Sequence, residues 1–115
     1  MTDSLQGFDL LRARYAQSLP SKHEALADAW HAFVAAPDEF TLRAVHEQAH
    51  RLSGSAAVYG YEPLGDRARA IDCALCEWED APAASRDDAR ELPRRLAAPM
   101  QALLDALREC VERGS

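Results

Sequence analysis

The stretch "TLRAVHEQAHRLSGSAAVYG", residues 41–60, decides how the rest of the chain is read. Leu42, Val45, Ala49, Leu52, Ala56 and Tyr59 recur at spacings of three and four, the interval at which an α-helix returns side chains to one face. That stripe is the buried face. At about 100° per residue, His50 projects roughly 130° from its centre, towards solvent, and Arg43, Glu47 and Gly54 fall on the same side. A glycine inside a helix costs roughly 1 kcal/mol relative to alanine. Standing one turn after His50, Gly54 leaves a hollow beside the imidazole, so this side of the helix serves access rather than packing.

The flanking segments carry helical punctuation as well. Asp38 stands at an N-cap position and Gly60 where a left-handed residue closes a helix. Upstream, Leu5 to about Ser18 reads as a short helix. Pro20 then separates it from a second, opened by Ser21 and Glu24 as a capping box, carrying Leu26, Trp30, Phe33 and Val34 on one side and stopping at Pro37. Downstream, Pro63 suits the first turn of a helix reaching about Trp78. "SRDD" at 85–88 caps a last helix from Ser85 to about Arg113. Pro93 predicts a kink or break in it, followed by a packing face of Leu96, Met100, Leu103, Leu107 and Val111. No stretch alternates with a period of two. The expected fold is all-α: an antiparallel four-helix bundle with an additional short N-terminal helix, one domain over residues 1–115.

Composition narrows the function. Of 115 residues, 48% are hydrophobic and 28% charged, the balance of a globular chain. The net charge of −6, from 13 basic and 19 acidic residues, repels polyanions and argues against nucleic acid as the main partner. No apolar run approaches the ~18 residues of a membrane span. "MTDSLQGFDLL" lacks the basic, apolar, small-residue succession of a signal peptide, so a cytoplasmic location is expected. Cys73, Cys76 and Cys110 make an odd count, and one CxxC inside a helix is a weak metal or redox signal; reduced thiols are expected. His46 and His50 have the i,i+4 spacing of a metal pair, but no third ligand is evident in the sequence and no metal site is assigned.

"AHRLSGSAAVYG", residues 49–60, resembles the signature of histidine-containing phosphotransfer (HPt) domains, the carriers of multistep two-component phosphorelays. In that family the phosphorylated histidine is followed by a lysine or other polar residue at three positions, glycine at four, serine or alanine at five, and glycine at ten. His50, Gly54, Ser55 and Gly60 match. "YEPLGDRARAID", with Leu64, Ala68 and Ile71 at core spacing, resembles the helix after the family's active one. The resemblance implies that His50 is the phosphoacceptor, with Gly54 providing access. It also implies that the partners are response-regulator receiver domains, a hybrid histidine kinase's own receiver being one candidate, and that Mg²⁺ comes with the receiver. Arg43, Arg51, Arg67 and Arg69 are then candidates for contacts to its acidic pocket. Ser53 stands where many members carry a lysine that helps stabilise the phosphoryl group, which bears on the rate and lifetime of the phosphorylated form.

Histidine suits the task. A neutral imidazole nitrogen is nucleophilic near neutral pH, the reference pKa being about 6.5, and an N–P bond keeps its transfer potential. A hydrogen bond to the other ring nitrogen fixes the tautomer, and His46 and Glu47 are both candidates to make it. The glycines at 7, 54, 60, 65 and 114 never cluster into a phosphate-cradling loop. No set of carboxylates for Mg²⁺ is evident either, so self-phosphorylation from ATP and a cofactor of the chain's own are not expected. The leading expectation is a monomeric phosphocarrier, not an enzyme. The alternative is a non-catalytic receiver-binding or adaptor bundle, which Ser53 keeps open.

Overall fold

Tyr15, Leu19, Leu26, Trp30 and Phe33 lie on one helical face that runs in phase through Pro20, and the backbone follows the face rather than the proline. In the computed structural model, which describes residues 2–82 and 89–113, helix α1 is continuous from Thr2 to Ala35. This corrects the expected division into a short helix and a second one: they are a single helix, and Ser21 and Glu24 sit in its middle rather than in a capping box. An interior proline costs about 3 kcal/mol or more. All five face residues are buried, and each such side chain contributes about 1.5–3 kcal/mol when fully buried. A break at Pro20 would take one group out of the core, so packing wins. Val34, expected on this face, is exposed. So are Phe8, Leu10 and Leu11, because the first turns of α1 run past the core.

Helix α2 spans Glu39–Val58. The Asp38 carboxylate accepts from the Thr41 backbone N–H at 2.8 Å, while the Asp38 N–H donates to Thr41 Oγ1 at 3.1 Å. Two donors that would lack partners at a helix start are thereby satisfied. At the other end Gly60 takes φ +83. The Tyr61 and Gly60 N–H groups donate back to the carbonyls of Ala56 (2.8 Å) and Ala57 (3.3 Å), a Schellman closure that only glycine enters freely. Helix α3 covers Glu62–Asp80 with Pro63 in its first turn, and α4 covers Leu92–Arg113. The expected start of α4 at Ser85 is thus corrected: residues 89–91 form a turn, and the proposed cap at 85–88 lies outside the described residues. Pro93 falls in the first turn, where a missing N–H removes no bond, so it opens the helix instead of kinking it. Pro99 is the interior proline.

The helices pack in a ring, α1 against α2 and α4, and α3 against α2 and α4. Phe33, Val45, Ile71, Leu75, Met100, Leu103 and Leu107 fill the centre. Among the described residues there is no strand; the fold is an all-α four-helix bundle. Two junctions fix α2, the helix that carries His50. Towards α1, the Tyr15 hydroxyl and Ser55 Oγ share a 2.7 Å hydrogen bond, the Tyr15 ring stacks on Tyr59 at 4.6 Å, and Arg12 Nε donates to the Tyr59 carbonyl at 2.9 Å. Towards α3, Gly65 is buried against α2. A Cβ there would stand 3.4 Å from the Ala57 nitrogen, 3.5 Å from the Ser53 carbonyl oxygen and 3.6 Å from Ala56 Cβ. The two helices therefore meet at backbone level, and the run of small residues after Leu52 is partly a packing device. The expectation that it serves access alone is corrected.

Candidate functional site

His50 stands on the outer side of α2 with 73% of its side chain exposed, while Ala49 and Leu52 beside it are buried. Its Nδ1 lies 3.1 Å from Oδ2 of Asp72 on α3. A carboxylate only accepts, so Nδ1 carries the proton and donates it, and in the neutral ring the lone pair is then on Nε2. Nε2 has no hydrogen-bond partner among the described residues. The ring is therefore held by one nitrogen and offers the other to solvent.

Asp72 joins two histidines. Its Oδ1 lies 2.7 Å from His46 Nε2, one turn before His50, and His46 Nδ1 lies 3.1 Å from Glu79 Oε1. Only 14% of the Asp72 side chain is exposed. Burial by itself raises a carboxyl's pKa, but the bonds from His50 and then His46, with the attraction of both rings, outweigh it and hold Asp72 below its ordinary value. Cys76, one turn further along α3, places Sγ 3.5 Å from His46 Nε2 and 3.8 Å from Asp72 Oδ1. Desolvation and the neighbouring carboxylates of Asp72, Glu79 and Asp80 push that thiol above its usual range, so it stays protonated.

The orienting partner of His50 is Asp72, a residue the sequence reading did not single out. His46 bonds the other oxygen of the same carboxylate, and Glu47 pairs with Arg51 four residues on. Asp72 was hidden because it lies 22 residues away on another helix and becomes visible only once α2 and α3 are set in register. The i,i+4 step from Asp72 to Cys76, facing His46, is the signal that could have led to it.

A hollow of about 490 Å³ borders His50, lined by Arg43, His46, Glu47, Asp72 and Cys76. It opens on the Arg43 side of the imidazole. Gly54 lies on the other side, where an added Cβ would meet nothing within 4 Å. At Gly54 the surface is open ground, and the depression lined by side chains is a shallow one on the Asp72 and Cys76 side of His50. Ser53 is 9% exposed, and its hydroxyl donates to the His50 carbonyl at 2.8 Å, turned along its own helix and not towards the ring. Of the four arginines, Arg43 lines the hollow, Arg51 is engaged by Glu47, and Arg69 is exposed one turn before Asp72. Arg67 lines a different cleft between α1, α3 and α4, with Arg12, Tyr61 and Arg113. His31 is exposed and His23 half-buried on α1, and neither joins the cluster.

Comparison with protein families matches the Hpt domain over residues 10–112, and the chain belongs to the Hpt family. Comparisons with curated proteins and with solved structures gave no match. At the level of the family the role is phosphotransfer in a phosphorelay: Hpt domains are phosphocarriers that exchange phosphoryl groups with response-regulator receiver domains. No helix among the described residues is long and apolar enough to cross a membrane.

Proposed function

Starting from membership of the Hpt family, we propose that His50 accepts a phosphoryl group on Nε2 from the aspartyl phosphate of one receiver and passes it to the aspartate of another. The observation that carries this reading is the 3.1 Å contact between His50 Nδ1 and Asp72, which leaves Nε2 outward with its lone pair. In the forward step Nε2 attacks phosphorus, the N–P bond forms, and the P–O bond to the receiver carboxylate breaks with its electron pair on the departing carboxylate. The ring, with Nδ1–H and Nε2–P, becomes cationic. The Asp72 carboxylate, held ionised beside it, supplies the counter-charge as that cation develops. Mg²⁺ and the remaining charge stabilisation come with the receiver's acidic pocket, and this chain acts as a cytoplasmic monomer without a cofactor.

The partner-facing patch gathers Arg43, Arg51 and Arg69 around His50, with Gly54 giving clearance; Arg67 falls outside it. Position 53 brings no cation to the phosphoryl group, and this favours the second reading, a module that binds receivers without carrying phosphate. The test is covalent. Incubated with phosphorylated receivers of the same organism, the chain should acquire acid-labile phosphate, and His50→Gln should abolish the label. That substitution removes the imidazole's bond to Asp72 and should cost no more than about 1 kcal/mol, leaving the bundle folded. Label persisting in His50→Gln, or a wild-type chain that no receiver labels, returns the protein to the binding-module reading.

A further inference from the structure

We propose that His46, Asp72 and Cys76 form a binding site for a divalent transition metal of the zinc class, and that filling it slows phosphoryl acceptance at His50. The donor atoms of these three residues all lie within 4.8 Å of one another. Zinc–ligand bonds of about 2.0–2.3 Å in a tetrahedron set neighbouring ligand atoms roughly 3.3–3.7 Å apart. His46 Nε2 to Cys76 Sγ is already 3.5 Å, and Cys76 Sγ to Asp72 Oδ1 is 3.8 Å. The third edge, His46 Nε2 to Asp72 Oδ1, is 2.7 Å and widens by roughly half an ångström when a metal takes the place of the proton between them.

The surroundings suit such a site. Asp72 and Cys76 are one turn apart on α3 and His46 faces them from α2, so packed helices set the triangle. Glu79 Oε1 accepts from His46 Nδ1 at 3.1 Å, the carboxylate–histidine arrangement that fixes the tautomer and turns Nε2 to the metal. An imidazole, a carboxylate and a thiolate favour zinc, cobalt or copper over magnesium. The hollow beside His50 provides the entry and leaves the fourth position to solvent. On binding, the Cys76 thiol proton and the proton between His46 and Asp72 pass to solvent, and the thiolate, the carboxylate and M²⁺ sum to neutral. With Oδ1 taken up by M²⁺, the Asp72 carboxylate is a weaker acceptor at Oδ2 for His50 Nδ1–H and supplies less counter-charge to the ring as it becomes cationic. The second half of the proposal rests on His50 being the phosphoacceptor; metal binding itself does not.

The experiment uses the whole chain, kept reduced with a phosphine, and Co²⁺ as the probe. One equivalent should produce tetrahedral d–d absorption with a thiolate-to-cobalt charge-transfer band, and Zn²⁺ should displace it. Cys76→Ser should lose the charge-transfer band, Glu79→Gln should weaken binding about tenfold, and Cys73→Ser should change neither. No band in the wild type, a band surviving Cys76→Ser, or one lost in Cys73→Ser overturns the site. Zn²⁺ should then slow labelling of the wild type severalfold, while Cys76→Ser labels at the same rate with and without it. Equal inhibition of both proteins places the zinc effect on the receiver and overturns the second half. A wild type that binds Co²⁺ as described but is never labelled leaves the metal site standing and removes the phosphocarrier reading instead.

Discussion

The seam between α2 and α3 has two halves built on opposite principles. At one end Gly65 lies against Ser53, Ala56 and Ala57, and the backbones are in contact. Two turns along the same face of α3, Asp72 reaches across to His46 and His50, with Cys76 and Glu79 beyond it and a hollow between the helices. The close half is short of side chain; the polar half is spanned by it. Contact at Gly65 fixes the register of the antiparallel pair, and that register carries Asp72 to the two imidazoles. A surface histidine alone has a free ring. This one is aimed, because a glycine on the neighbouring helix has set where its acceptor falls.

That dependence can be broken from either side. The largest effect should come from Gly65→Leu, which drives a side chain into a contact with room for little more than one methyl group. Overpacking of this kind costs about 1–3 kcal/mol. Urea melts should show the loss, and ring-nitrogen NMR should show His50 released from its single tautomer although the substitution touches neither histidine.

Asp72→Asn attacks the polar half. Removing bonds to a charged acceptor, one of them to an exposed ring, should cost about 1 kcal/mol near neutral pH. The pH dependence has a definite sign. Because the folded carboxyl is held below its ordinary value, the unfolded chain binds more protons through the acid range. The stabilisation is therefore complete above the unfolded Asp value of about 3.9 and lost as pH falls through the lower folded one. Urea melts across that range should slope less for Asp72→Asn than for the wild type.

A third change has the opposite sign. Gly54 sits in open space, so Gly54→Ala should stabilise the bundle by up to about 1 kcal/mol. Gly54→Leu should fold at least as well as the wild type yet be labelled more slowly by a phosphorylated receiver. Unchanged labelling in a folded Gly54→Leu would remove the argument that this glycine gives clearance. The smallest effect belongs to Ser53→Ala. The hydroxyl bonds only within its own helix, so the change should stay within about 0.5 kcal/mol by thermal melting.

How much of this could be read from the sequence differs between the same two halves. Helix α2 was legible almost throughout: a three-and-four stripe, an acidic cap at Asp38 and a glycine stop at Gly60 all act within a few residues of one another. His50's outward direction followed from the same geometry. Its partner did not, since the register of α2 against α3 depends on how closely Gly65 lets the helices approach, and no local rule supplies that. The i,i+4 pair of His46 and His50 led to no metal assignment for want of a third ligand, and the donors that stand beside His46, Asp72 and Cys76, come from α3. Pro20 misled for a related reason: a local rule ends the helix there, whereas the buried stripe from Tyr15 to Phe33 continues it. The four-helix count was in the sequence, in the phase of that stripe, but only packing gives phase precedence over a proline.

The length of α1 has a consequence for the way the molecule opens. Before Tyr15 the described side chains of this helix are exposed, and from Tyr15 onwards they enter the core. Opening the turns from Gly7 to Arg14 uncovers little apolar surface, whereas opening beyond Leu19 uncovers the centre of the bundle. Amide hydrogen exchange along this one helix should therefore fall into two regimes. Protons ahead of Tyr15 should leave turn by turn through fraying, at a rate indifferent to mild denaturant. Those beyond Leu19 should leave together, with the full sensitivity to urea of Leu52, Ala56 and Leu103. One uninterrupted helix thus belongs to two cooperative units, and the border between them falls where burial begins.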